Sequence, residues 1–269
     1  MPEQLFPCAG AVCRNPADKR LTNARREGLT IGMPRPPFQF PDPESTVVAS
    51  IGDLDALLGS NPESLAMQCD IAEIRLDVFH REFAEKGAGL WNHLLPFPLL
   101  FTARRHDEGS PFDLDQATRT AMLETALPDA SLIDIEARSA SAMTDIIGKI
   151  TAEGVPWIAS YHDFTQLPSR QKLDTHAEIA RKAGANAFKA AARLRTMDDL
   201  TALAHFQMSE NGIAMATMGM GVLAPVSRLL CSQAGSVLNY GYIGDTATAP
   251  GQWSARQLRE SIRSLSPFR

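Results

Sequence analysis

Lys189, in the run NAFKAAA, and His162, in WIASYHDF, are the two side chains in this sequence best suited to chemistry without a metal. Charged and polar residues of the same kind close the other apolar runs. AEIRLDVF carries Glu73, Arg75 and Asp77 at alternate positions, which in a strand would share one face. FTARRHDEGS carries Arg104 and Glu108, and IDIEAR carries Asp134 and Glu136. MGVLAPVSRLL contributes Arg228, and TATAPGQW contributes Thr248 and Gln252. Taken singly, each has a plainer reading. The lysine could be solvated at a strand end, the histidine satisfied in a core or capping a helix, and Glu73, Arg75 and Asp77 a structural ion-pair cluster. Converging on one site without a metal-ligand pattern, they indicate chemistry done by side chains alone.

Convergence requires a fold that brings the ends of many strands to one place. Eight short apolar runs are expected as strands: Thr46 to Ile51, Ile71 to Val78, Pro98 to Arg104, Ser131 to Glu136, Pro156 to Tyr161, Ala187 to Ala190, Ile213 to Thr217 and Ser236 to Tyr240. Amphipathic stretches such as DLDALLGSNPESLAMQC, DLDQATRTAMLETALP and KLDTHAEIARKAGA lie between them, with apolar residues at helical spacing. This alternation predicts βαβ units and a parallel sheet. Eight strands in 269 residues fit a (β/α)8 TIM barrel, whose usual length is roughly 250 residues and whose active site lies at the C-terminal ends of the strands. Three charges facing apolar helices would be costly, so Glu73, Arg75 and Asp77 are expected to face the barrel interior.

Composition limits the partners. With 44% hydrophobic and 21% charged residues the chain can bury a sizeable core. A net charge of −5 without a basic run gives nucleic acid nothing to bind. No apolar stretch approaches the ~20 residues of a spanning helix, and the start lacks a secretory pattern, so a cytoplasmic protein is expected. The four cysteines, Cys8, Cys13, Cys69 and Cys231, show neither zinc spacing nor a histidine cluster and read as reduced thiols. Residues 1–45 contain the proline-rich MPRPPFQFPDPES and are expected to form an arm before a catalytic domain at 46–269. A proline-rich recognition ligand is the alternative for that arm.

In order, EIRLD, FTARRHDEG, DIEA, SYHDF, AFKAA, MGxxxxxSR and APGQ resemble the type I 3-dehydroquinate dehydratases. The likeness runs from about Thr46 to Gln252. It implies a (β/α)8 barrel closed at its base by a hairpin, for which LTIGMPRPPFQF stands in the right place. It also implies dehydration of 3-dehydroquinate to 3-dehydroshikimate through a lysine Schiff base, without cofactor or metal, by a cytoplasmic homodimer of the shikimate pathway. Carried over residue by residue, Lys189 resembles the imine-forming lysine and His162 the general acid and base. Glu108 resembles the carboxylate that orients the histidine. Arg228 resembles the anchor for the substrate carboxylate, and Thr248 and Gln252 belong to the loop that closes over it. Glu73, Arg75 and Arg104 match positions that hold substrate hydroxyls and the charge network around the lysine.

The chemistry suits those residue types. Removing a proton next to a ketone needs an electron sink, which an iminium ion supplies. A lysine becomes nucleophilic when an apolar wall or a neighbouring cation favours its neutral form. Phe188, Ala190 and Ala191 are expected to provide the wall and Arg75 or Arg104 the charge. Histidine titrates near neutral pH and can return the proton to the departing hydroxyl. A guanidinium grips a carboxylate through a bidentate fork. The sequence departs from the family at Thr248 and Gly219, where serine is usual, and at Ala224 and Ser110, which replace glycines, and its N-terminal segment is longer. Two alternatives stand beside the dehydratase. One is a class I aldolase-like enzyme acting on another hydroxyketone. The other is a non-catalytic sensor like the fungal quinate repressors, which retention of Lys189 and His162 disfavours.

Overall fold

Strands buried on both faces must pair laterally to satisfy their backbone groups, and runs rich in Val, Ile and Leu do so here. In a computed structural model, which describes residues 35–40 and 45–265, the strands are β1 Thr46–Ile51, β2 Ile71–Arg75, β3 Leu99–Thr102, β4 Leu132–Glu136, β5 Trp157–Asp163, β6 Ala187–Arg193, β7 Ala214–Met220 and β8 Leu238–Ile243. All pair in parallel, in the order β7-β6-β5-β4-β3-β2-β1-β8. Helices α1 Leu54–Gly59, α2 Pro62–Ala66, α3 His80–Lys86, α4 Gln116–Ala126, α5 Thr144–Ala152, α6 Arg170–Lys182, α7 Met197–Gln207, α8 Ala224–Gln233 and α9 Ala255–Leu265 connect the strands and close the chain. The expected (β/α)8 architecture is present.

The eighth seam differs from the others. β7 and β8 share no ladder, and near the base they are joined by Val237 N donating to Met215 O at 2.9 Å. Towards the top the Arg228 side chain bridges them, donating from Nη1 to Gly219 O at 2.8 Å and from Nε to Tyr240 O at 3.0 Å. A guanidinium thus occupies the place of ladder hydrogen bonds.

Several boundaries shift from expectation. β5, β6 and β7 run on to Asp163, Arg193 and Met220, because their shared ladders keep pairing backbone groups past the expected ends, as far as Asp163 with Ala192 and Arg193 with Met220. β2 stops at Arg75, so Asp77 lies in the following turn and not on the strand face with Glu73 and Arg75. There it is fully buried and accepts from Arg75 and from Arg104 N. The stretch from Asp53 to Cys69 divides into two short helices, because the Asn61 side chain caps a second start and Pro62 fits only its first turn.

Residues alternate inward and outward along each strand. The outer faces join the helices in the main core, in which Phe101, Trp157 and Phe188 are buried. Inside, a layer of Val48, Ile71, Leu100, Leu132, Ile158, Ala187 and Leu238 fills the base, and Phe38 and Phe40 of the arm pack against it. Arg35 extends the arm's hold, donating to Leu127 O at 3.0 Å and Glu153 Oε2 at 2.9 Å. Residues 35–40 form no strand, and the rest of the hairpin expected at 29–40 lies outside the described residues, as do Cys8 and Cys13. Cys69 and Cys231 are buried free thiols, and among the described residues no helix is long and apolar enough to cross a membrane.

Candidate active site

Above the apolar base the inward residues become polar. The next ring holds Ser50, Glu73, Thr102, Asp134, Ser160, Lys189 and Tyr240, all buried. Glu73 accepts from Ser50 Oγ and, at 2.8 Å, from Thr102 Oγ1. Above it stand Arg75, Arg104, Glu136 and His162, reached by one more alternation of the same strands. All nine residues singled out in the sequence, Glu73, Arg75, Arg104, Glu108, His162, Lys189, Arg228, Thr248 and Gln252, line one pocket of about 490 Å³, its open mouth included. Phe164, Met218, Met220 and Ala249 give it an apolar side.

Lys189 is 3% exposed and makes an ion pair with Asp134 at 2.8 Å, while its Nζ lies 4.1 Å from the Tyr240 ring centroid. This differs from the apolar wall expected from its neighbours in sequence. Phe188 and Ala190 point outward into the main core, and only Ala191 shares the pocket. Asp134 also pairs with Arg104 at 3.0 Å and accepts from Ser160 Oγ. Burial opposes its ionisation, but Arg104 and Lys189 outweigh burial and hold the carboxyl far below the usual range.

Arg104 links Asp134 to Glu136, to which it donates at 3.1 Å. Glu136 is enclosed on its other side by Arg119 of α4 at 3.0 Å and accepts from Arg105 N at 2.9 Å. The pocket therefore rests on an alternating network of buried charge.

His162 stands one inward step above the level of Lys189, since Ser160 pairs with Lys189 and His162 with Ala191. Glu108, in the 3-10 turn after β3, accepts through Oε2 from His162 N at 3.0 Å and contacts its Nδ1 at 3.2 Å. With the carboxylate on Nδ1, that nitrogen carries the hydrogen and Nε2 is left as the base. Burial, reinforced by the Arg104 and Lys189 cations, keeps the imidazole pKa well below its ordinary value. Burial pushes the Glu108 carboxyl up to about 7, with Arg104 opposing and Glu136 adding to the rise.

Arg228 is buried, and its Nε and Nη1 donate only to backbone carbonyls. No carboxylate pairs with it among the described residues, and burial lowers its pKa to about 10. A buried cation without a counter-ion, lining a pocket, is a ready site for an anionic group. Over it lies the loop between β8 and α9, where Gln252 Oε1 accepts from Thr248 N at 3.1 Å and Thr248 Oγ1 at 2.7 Å.

The structure accounts for the local departures. A Cβ at Gly219 would come within 2.4 Å of Leu194 Cδ1 and 2.6 Å of Ser227 Oγ, so serine has no room there. Thr248 keeps the hydroxyl and lays its extra methyl against Gly52, where a Cβ would meet it at 2.8 Å. Ser110 turns away into a local bond to Phe112 O at 2.8 Å. Ala224 starts α8 and sits under the loop, its Cβ 3.1 Å from where one on Gly251 would be. Sequence reasoning placed Asp134 among the converging strand-end residues but gave it no role, and it did not single out Tyr240. Asp134 pairs with a lysine 55 positions away, and Tyr240 sits in an apolar run that reads as core.

Residues 47–268 match the type I 3-dehydroquinase family. The chain is 31% identical over 222 residues to the 3-dehydroquinate dehydratase of Methanocella arvoryzae, covering 81% of this chain and 96% of that relative. To the 3-dehydroquinate dehydratase of Bacillus subtilis it is 29% identical over 251 residues, covering 89% and 95%. The crystal structure of 3-dehydroquinate dehydratase from Geobacillus kaustophilus superposes with a TM-score of 0.74 at 26% identity, covering 84% of this chain and 92% of that one.

Proposed function

This chain belongs to the type I 3-dehydroquinase family, and we propose that it dehydrates 3-dehydroquinate to 3-dehydroshikimate through an imine on Lys189. The observation that carries this reading is the pairing, in one pocket, of a buried lysine beside a neutral histidine with a buried arginine that has no counter-ion among the described residues. An aldol reaction needs the first two but gives no reason for the third.

The substrate carboxylate would meet Arg228, which places the ring ketone towards Lys189. Glu73, Arg75 and Arg104 would hold the hydroxyls and the charge around the lysine, and Thr248 and Gln252 would close over the ring. Lys189 passes a proton to His162 Nε2, its neutral amine adds to the ketone, and the imidazolium returns the proton to the carbinolamine hydroxyl, which leaves as water to give the iminium ion. His162 Nε2 then removes the proton from the adjacent carbon, and the electron pair moves into the enamine. Return of that pair expels the hydroxyl one carbon further on, protonated by the imidazolium to leave as water. Hydrolysis of the conjugated iminium frees product and Lys189. Glu108 would stabilise the transient imidazolium, as a triad carboxylate does. The shikimate pathway, a cytoplasmic setting and a homodimer complete the proposal, and light scattering at twice the chain mass would support the dimer.

The test is incubation with 3-dehydroquinate and borohydride, followed by peptide mapping. Reductive trapping on Lys189, with loss of turnover in Lys189→Ala, is the expected result. Label on another residue would sink the mechanism, and absence of product absorbance would sink the activity.

A further inference from the structure

We propose that Arg138 is a positioning residue for this reaction, holding Glu108 from the pocket rim in the charged form that orients His162. The inference rests on the dehydratase reading above and adds a residue to it.

The two oxygens of Glu108 are treated differently. Oε2 faces His162. Oε1 is buried and has no hydrogen-bond partner among the described residues. A buried carboxylate oxygen without a donor is an expensive arrangement, and the nearby groups should show what relieves it. Arg138 Nε lies 3.4 Å from it. Arg138 belongs to the 3-10 turn Ala137–Ala142 after β4, and its side chain is 40% exposed. Its Nη2 meanwhile holds Asp107 Oδ2. Asp107 is exposed and is also gripped by Arg105, whose hydrogen bond comes first in lowering its pKa to about 2. Two consecutive carboxylates thus share one guanidinium, and the solvated one has the closer contact.

Arg104 opposes the rise of the Glu108 carboxyl more than Arg138 does, so Arg138 acts beside it and not in its place. Arg104 at the top of β3 is engaged by Asp134 and Glu136. Glu136 from β4 carries the same sign as Glu108, and His162 from β5 is held neutral. Arg75 from β2 is paired with Asp77 and reaches only Gly109 O, at 3.2 Å. Arg105 also feels the Glu108 charge but is engaged by Asp107, and among the described residues Arg138 is the cation paired with Glu108 Oε1. A neighbouring cation favours the charged carboxyl, so its loss should make Glu108 retain its proton to higher pH. Loss of Asp107 should act in the opposite sense, because Arg138 would then serve Glu108 alone.

Two measurements on the full chain test this. The first is the pH dependence of kcat for wild type, Arg138→Met, Arg138→Lys and Asp107→Asn. The acidic limb should move up by about one pH unit in Arg138→Met, with turnover restored above it, and by less in Arg138→Lys. It should move down in Asp107→Asn. The second is the carboxyl titration of Glu108, followed by 13C NMR with Glu108→Gln as the assignment control. It should shift in the same directions and needs no turnover. An Arg138→Met profile that superposes on wild type after scaling, or a Glu108 titration unmoved in both variants, overturns the inference. Absence of turnover in wild type overturns the dehydratase reading, and the NMR titration still decides on Arg138.

Discussion

Lys189 has a carboxylate at 2.8 Å and an aromatic face at 4.1 Å, and both stabilise positive charge on its nitrogen. The same face would serve an iminium ion, and this makes Tyr240 separable by substitution. Tyr240→Phe keeps the face and removes a hydroxyl that has no partner among the described residues. Its turnover should stay within about twofold of wild type. Tyr240→Leu should cost about 1–2 kcal/mol in the barrier, roughly five- to thirty-fold in kcat. Equal losses in the two variants would shift the role to the hydroxyl. Glu108 gives a second prediction, in stability. Its carboxyl is raised to about 7 against an ordinary 4.5, so the native state binds its proton more tightly than the unfolded chain does. Stability from this group is full below about pH 4.5 and is lost as pH rises through 7. Glu108→Gln should therefore be more stable than wild type at pH 8, by on the order of 1–3 kcal/mol, and not at pH 4. Denaturant melts at the two pH values check this, and a gain at pH 4 alone would contradict it.

Elements are where the sequence was both most and least informative. Eight apolar runs separated by amphipathic stretches identify the barrel, because parallel strands covered by helices on one side and packed interior on the other must be apolar through much of their length. The strand ends were harder. His162 and Asp163 lie beyond the expected end of β5 at Tyr161, yet they continue the strand, because the ladder with β6 runs on and His162 enters the buried charge network of the upper interior. Asp77 erred in the other direction, since alternation alone does not show that β2 turns away after Arg75. The nine candidate residues were legible as types at strand ends, but their pairings were not. Asp134 with Lys189, and Arg138 with Glu108, join elements far apart in sequence and leave no local trace. Gly219 on β7 shows a residue that only packing explains. Gly219→Ala should cost about 1–3 kcal/mol by forcing apart Leu194 and Ser227, and it should weaken substrate binding through Arg228, which Gly219 O holds. Unchanged KM and stability would mean that the crowding is relieved without disturbing the arginine.

At the scale of the molecule, the barrel is a ring closed by ladders at seven seams and, at the eighth, by a backbone hydrogen bond near the base and the Arg228 side chain above it. Amides of β7 and β8 that face this seam lack the pairing enjoyed by β4 and β5, so their hydrogen exchange should be faster. Arg228, one of the bridges, is also the pocket cation that has no counter-ion among the described residues. Occupancy of the pocket and cohesion of the ring are therefore linked through one side chain. An unreactive hydroxycarboxylate that neutralises Arg228 should slow exchange at the seam as well as raise the melting temperature. For a ligand at a hundred times its Kd the stabilisation is about 2.7 kcal/mol. Arg228→Met should abolish the ligand's effect and speed exchange at the seam in its absence. Uniform protection on ligand binding, with β7 and β8 no different from the rest, would show that the seam does not respond. If it does respond, substrate acts as a removable clasp, and the empty protein is the one most open to local unfolding between its last two strands.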